Sequence, residues 1–190
     1  MKLENPDIRH LYDLKEVLYD KEWLKGAPDL ELYYMYRNLK RDGNLRYDVT
    51  VIPAQMLGKE FTKTKGHYHP DCYGELYIVI EGEAIYLMQK INDEGEIEDI
   101  YFVEAKAGDH VIIPPHYGHV TINPGDKDLK MANWVCDDFK SLYSQIEEKG
   151  GAGYFYTLDG WIKNDNYERV PDLRNEQPEE SMPEDLSFLK

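Results

Sequence analysis

Apolar residues recur two apart through much of this chain, and turn residues interrupt the pattern at short intervals. Leu30-Glu31-Leu32-Tyr33-Tyr34-Met35-Tyr36 is β-prone, Asp42-Gly43 supplies a hairpin turn, and Leu45 to Pro53 reads as the returning strand. In that strand Tyr47, Val49 and Val51 share one face, and Asp48 and Thr50 the other. Further strands are expected over 75–80, 84–90, 100–103, 111–113, 119–122 and 131–135. Gly82, Asn92-Asp93-Glu94-Gly95, Gly108-Asp109, Pro114-Pro115 and Asn123-Pro124-Gly125-Asp126 separate them. Tyr154 to Thr157 and Trp161 to Lys163 flank a second hairpin signal, Asp159-Gly160. Many short strands with Gly/Pro turns predict an all-β sandwich or barrel.

Helical spacing appears only outside that run. Leu11, Leu14, Val17 and Leu18 fit one short helix, and Lys21 to Lys25 another, stopped by Gly26 and Pro28. Phe139 to Lys149 predicts a single short C-terminal helix ended by Gly150-Gly151. The expected organisation is an N-terminal arm over 1–29, a β-barrel domain over 30–168 and a tail over 169–190. The tail is rich in Pro, Glu and Asp and reads as acidic and mobile, although Leu186, Phe188 and Leu189 give it residues able to dock.

Composition narrows the function classes. Of the 190 residues 42% are hydrophobic, enough for a core in what length suggests is one domain with extensions. The 16 Tyr against 5 Phe suggest many rings that pack while their hydroxyls reach polar groups. A net charge of −15 disfavours nucleic acid and anionic membranes as partners, since both select clustered Lys and Arg. A small anionic substrate remains compatible, because a bound cation and local donors outweigh a distant acidic surface. The two cysteines, Cys72 and Cys136, form no CxxC and no secreted disulfide framework. With no signal-peptide pattern at the start and no membrane-length apolar run, a cytoplasmic location is expected.

The chemistry concentrates in two places. Gly66-His67-Tyr68-His69 places two histidines two apart, which on a strand puts both imidazoles on one face. Glu75 follows a short turn, and His119 lies in a second punctuated segment, with His110 and His116 as rivals. Three imidazoles and a carboxylate suit one divalent first-row metal. By spacing alone Glu75 also reads as a solvated strand-end acid, and Cys72 as a turn residue. Thr50, Thr64, Lys63, Lys65 and the Gly66 backbone offer hydroxyls, ammonium groups and close approach for an oxyanion; a solvated polar strand is the competing reading.

Gly66-His67-Tyr68-His69…Glu75…Gly82 resembles the first cupin motif, and Gly108…Pro114…Gly118-His119…Asn123 the second. The five residues between His69 and Glu75 exceed the usual cupin spacing. Gly58-Lys59-Glu60-Phe61…Thr64-Lys65-Gly66-His67-Tyr68-His69 is similar to the cupin-type glucose-6-phosphate isomerases first known from archaea. The likeness continues through Val111 to His119 and Glu148-Lys149-Gly150, covering roughly 30–150. It implies a cupin barrel, a homodimer, and interconversion of glucose 6-phosphate and fructose 6-phosphate. His67, His69, Glu75 and His119 would hold the metal, with iron(II) first and manganese, nickel and zinc also matching the donors. Two routes fit that reaction: in a cis-enediol route Glu75 would be the base, and in the other hydride passes directly between C2 and C1. Thr50, Thr64, Gly66 and Tyr143 would hold phosphate with charge from Lys65, and Tyr33 and Tyr77 would line the sugar pocket. Two positions depart from the family: Ser141 stands where it has a histidine, and Val135 or Cys136 where it has a tyrosine. Other readings are a different metal-cupin enzyme, such as another sugar-phosphate isomerase or a dioxygenase, and a non-catalytic sugar-binding cupin.

Overall fold

A computed structural model describes residues 3–70 and 72–190. Fourteen strands occur among them: β1 (Asp7–His10), β2 (Glu31–Asp42), β3 (Leu45–Ile52), β4 (Met56–Leu57), β5 (Glu60–Phe61), β6 (Glu75–Glu81), β7 (Glu83–Ile91), β8 (Ile97–Lys106), β9 (His110–Ile113), β10 (Gly118–Ile122), β11 (Leu129–Cys136), β12 (Tyr154–Thr157), β13 (Gly160–Lys163) and β14 (Arg174–Glu176). Two one-turn helices, α1 (Lys21–Leu24) and α2 (Ser144–Glu147), complete the regular structure together with short 3₁₀ turns.

A six-stranded sheet runs β1-β2-β3-β11-β6-β9 and faces a four-stranded sheet β10-β7-β8-β14; a third, β13-β12-β5-β4, closes one side. One apolar cluster draws on all three, including Tyr77, Val79 and Met131 from the first, Leu87, Met88 and Ile100 from the second, and Leu57 and Tyr154 from the third. The barrel expected of a cupin is therefore present.

The register of the large sheet decides what faces its interior. Met35 pairs with Thr50 and Thr50 with Met131, while Asn133 pairs with both Asp48 and Tyr77. Because side chains alternate, Met35, Asp48, Thr50, Met131, Asn133, Glu75 and Tyr77 share one face. On the other face Leu45, Leu76 and Cys136 are covered by Leu189, which is fully buried. This explains why β6 reads as apolar on both sides.

The terminal segments differ from the sequence expectation. In the arm, β1 adds an edge strand to β2, and the helix expected through Leu18 is a 3₁₀ turn over Leu11–Leu14. Leu11 and Leu14 are completely buried, each worth about 1.5–3 kcal/mol of apolar burial. The helix expected over 139–149 is only Ser144–Glu147. Its first half is spent elsewhere: Leu142 exchanges backbone hydrogen bonds with Tyr68, 2.9 and 2.8 Å long, which holds that stretch extended.

The tail is docked rather than free. β14 pairs in parallel with β8, Arg174 forms an ion pair with Asp99, and Gly74 N–H donates to the Phe188 carbonyl. The Arg174 and Tyr117 hydrogen bonds hold the Asp99 carboxyl down at about 2. No helix among the described residues is long and apolar enough to cross a membrane.

Candidate metal centre and polar cavity

The two sheets contribute opposite sides of one cluster. Glu75 opens β6 in the large sheet, and His119 lies on β10 in the facing sheet. His67 and His69 sit on an irregular segment tied to β10 by a two-way backbone pair between His67 and His119, 3.2 and 3.0 Å. Tyr68 points away between them and accepts from Gln89 through its hydroxyl. Gly66 makes this approach possible: its φ is +81°, and a Cβ there would lie 2.6 Å from Val120.

One ligand atom from each of His67, His69, Glu75 and His119 lies within 4.8 Å of all the others. His67 Nε2 is 3.1 Å from His69 Nε2, and Glu75 Oε2 is 3.4 Å from His69 Nε2 and 3.3 Å from His119 Nε2. Donors bound at ~2.1 Å to a common ion lie ~3.0 Å apart at right angles and ~3.4 Å apart in a tetrahedron. Glu75 Oε2 is also buried without a hydrogen-bond partner. Buried polar atoms are normally satisfied, and a cation held by these donors would satisfy this one. Burial, followed by the neighbouring imidazole, holds His67 and His119 well below the ordinary histidine range. Neutral imidazoles are the form that binds metal.

The register separates His119 from its rivals. His110 pairs with Ile78, whose side chain is on the opposite face from Tyr77, so it turns away from the interior. His116 lies in the following turn at φ +70°. Cys72 is exposed and outside the cluster.

A cavity opens beside these donors. Tyr33, Thr50, Thr64, Lys65, Gly66, Tyr77 and Tyr143 all line it, so every proposed substrate-binding residue faces one space. Thr64 Oγ1 accepts from Thr121 N–H at 2.9 Å, which leaves its hydroxyl proton to point elsewhere. Lys65 Nζ sits 2.5 Å from Glu147 and 5.6 Å from the Tyr143 ring centre. Desolvation pushes the Tyr33 phenol up to about 12 and Tyr77 well above its ordinary range, with the Glu75 carboxylate adding to the latter. Both therefore stay neutral donors at physiological pH.

The sequence model of the glucose-6-phosphate isomerase (GPI) family matches residues 8–172. This chain belongs to that family. It is 34% identical to glucose-6-phosphate isomerase of Thermococcus litoralis over 149 residues, covering 75% of this chain and 76% of the relative. It is 31% identical to that of Pyrococcus horikoshii over 162 residues, covering 82% and 83%. Among solved structures, an oxalate oxidase aligns with TM-score 0.46 and 15% identity over 58% of this chain and 54% of that one. The Lactobacillus farciminis oxalate decarboxylase formate complex aligns with TM-score 0.47 and 17% identity over 60% and 32%.

Several further residues of this isomerase-family chain stand at or behind the cavity without having drawn a site role from the sequence. Arg46 and Asp48 share the inward face of β3 with Thr50, and the alternation that placed Asp48 beside Thr50 extends to Arg46. Asp48 is buried and accepts from Arg46 Nε at 2.9 Å and Asn38 N–H at 2.6 Å. Asn133 donates to Glu75 Oε1 at 2.6 Å. The Phe139 ring meets His69 at a tilt of 49°, with ring centres 4.6 Å apart, and Ser141 and Val135 also line the space. Arg9, which is not itself among the lining residues, pairs across the strands with Tyr33, and its guanidinium acts through its charge on the Tyr33 and Tyr143 phenols. No periodic pattern marked β1, so nothing in the sequence pointed to Arg9.

Proposed function

We propose that this chain interconverts glucose 6-phosphate and fructose 6-phosphate in this cavity, with one divalent metal held by His67, His69, Glu75 and His119. The observation that carries the reading is the orphaned Glu75 Oε2, facing two imidazoles beside a cavity that Thr64, Lys65 and Gly66 also line. When bound, the ion supplies a Lewis acid that offsets charge developing on the sugar O1 and O2.

The chain's own residues do the rest. Thr50, Thr64, Tyr143 and the Gly66 backbone hold the phosphate, with Lys65 adding charge. Tyr33 and Tyr77 bound the open-chain sugar and keep water from it. Glu75 takes the C2 proton of the aldose; the C2–H electron pair forms the C1=C2 bond, and the aldehyde oxygen takes up the displaced pair. Returning the proton to C1, as the O2 proton passes to O1, gives the ketose.

A coupled assay of fructose 6-phosphate conversion tests this, run on chelated protein and on protein reloaded with iron(II), manganese, nickel or zinc. Turnover restored by at least one ion is expected. No turnover with any of them would remove the isomerase reading and leave the fold untouched.

Arg9, beside Tyr33 and Tyr143, would add positive charge from behind the phosphate end. Arg9→Ala is expected to raise KM for fructose 6-phosphate roughly tenfold with kcat little changed, the pattern of lost uniform binding. It should weaken competitive inhibition by inorganic phosphate in parallel. A variant with unaltered KM and phosphate inhibition would show that Arg9 only braces Tyr143.

A further inference from the structure

Asn133 is a single polar residue in the run Met131-Ala132-Asn133-Trp134-Val135. Its strand, β11, is hydrogen-bonded on both sides, to β3 and β6, so its backbone is fixed. The side chain is buried at 6% exposure and faces the cavity. Its Nδ2 donates to Glu75 Oε1 at 2.6 Å, short for an N–H···O bond and in keeping with an ionised acceptor. The other oxygen, Oε2, has no hydrogen-bond partner and faces His69 and His119.

The two oxygens of one carboxylate are thus in different surroundings. A carboxylate free to turn about its last bond can bind an ion through both oxygens, and the cation then lowers the basicity of both. One tied to a fixed amide through Oε1 can offer the ion only Oε2. We propose that Asn133 is a positioning residue which divides Glu75, holding Oε1 in the cavity as the proton acceptor and turning Oε2 alone toward the metal.

An amide suits this work better than a charged or apolar neighbour. It stabilises the ionised Oε1 through Nδ2, and after a half-turn it can accept from a protonated Oε1 through Oδ1. Lys or Arg at this point would hold the carboxylate ionised. An alkyl group would leave both oxygens to the ion.

The kinetic arm of the test rests on the isomerase reading, and the spectroscopic arm does not. Asn133→Ala removes the tie, and Asn133→Asp keeps the shape while repelling Oε1, which provides a second variant if the first folds poorly. With saturating metal, kcat is expected to fall roughly 10–100-fold, the usual loss for a partner that orients a metal ligand, while KM stays within about twofold. The independent readout is the visible spectrum of the cobalt(II)-loaded protein, whose ligand-field bands weaken as coordination number rises. Asn133→Ala should show weaker bands than the parent, because both Glu75 oxygens then reach the ion. An unchanged cobalt spectrum overturns the proposal, and so does an unchanged kcat in an active enzyme. If the parent has no isomerase activity, the cobalt spectrum decides alone: weaker bands uphold the division of Glu75, and identical bands reject it.

Discussion

Replacing Glu75 with glutamine is expected to lower isomerase kcat by about 10²–10⁴-fold at saturating metal, the range for loss of a positioned general base. The substitution preserves shape and removes charge in a buried site, where Glu75 is only 3% exposed. It also sets up a conflict that the geometry makes explicit. Asn133 offers an N–H to one position of the carboxylate, and the other position faces His69 and His119. A glutamine can turn its oxygen to only one of these. With the oxygen toward Asn133, its NH₂ faces the imidazoles; with the oxygen toward the imidazoles, its NH₂ faces the NH₂ of Asn133. Metal affinity should therefore fall as well, although three imidazoles remain, so the comparison must be made with the ion in excess. The decisive measurement is isotopic. In deuterated water the parent should place solvent deuterium in the product during turnover, and Glu75→Gln should not. Solvent deuterium entering at the full rate in the variant would remove Glu75 as the base. A parent that carries its C2 hydrogen to C1 without any exchange would favour direct hydride passage instead.

The strands that build this site were legible because each is a short apolar run bounded by turn residues. Alternation located 75–80, 84–90, 119–122 and 131–135 within one or two residues of the observed β6, β7, β10 and β11. Alternation stopped being informative where long-range pairing took over. Phe139 to Lys149 has helical spacing, but Leu142 is held by Tyr68, a residue far away in sequence, and only α2 remains helical. Choosing among His110, His116 and His119 required the register of β9 against β6, which the two prolines at 114 and 115 obscure. The tail reads as mobile because composition averages over a segment, whereas the burial of Leu189, one of three residues named as able to dock, concerns one side chain. Asn133 had a signal that could have been used: a lone amide in an apolar strand must find a partner, and that partner is Glu75. For Arg9 there was none, since an edge strand of four residues carries no measurable period.

The polar stretch from Gly58 to Gly66 yields the largest expected stability effect. Glu60 and Lys63 form a buried ion pair, with side chains only 1% and 7% exposed. Each is also tied to the arm: Tyr19 N–H donates to Glu60 Oε2 at 2.9 Å, and Lys63 Nζ donates to the Val17 carbonyl at 2.8 Å. The Lys63 ammonium also lies 4.8 Å from the Phe155 ring centre. This pair therefore joins the arm to the barrel next to the Thr64–Gly66 wall. Lys63→Met should destabilise the protein by about 3–5 kcal/mol at neutral pH, because Glu60 is left as an unpaired buried charge. At ~2–4 °C per kcal/mol for a chain of this size, the melting temperature should drop on the order of 10 °C. Adding Glu60→Gln keeps an acceptor for Tyr19 and removes the stranded charge, so the double variant should regain most of the loss. The sign of the pH dependence follows from the same carboxyl. Desolvation holds Glu60 above its ordinary value of 4.5 even with Lys63 beside it. A carboxyl raised in the folded state binds more protons there than in the unfolded chain, so stability declines as pH rises from 4.5 through the folded value. Removing Lys63 takes away an attraction that opposed the rise and moves the folded value higher still. The melting gap between parent and Lys63→Met should thus be wider at pH 8 than at pH 5, and the double variant should flatten it. A gap independent of pH, or a single variant as stable as the double, would mean that the Lys63 stem, not its charge, holds the arm in place.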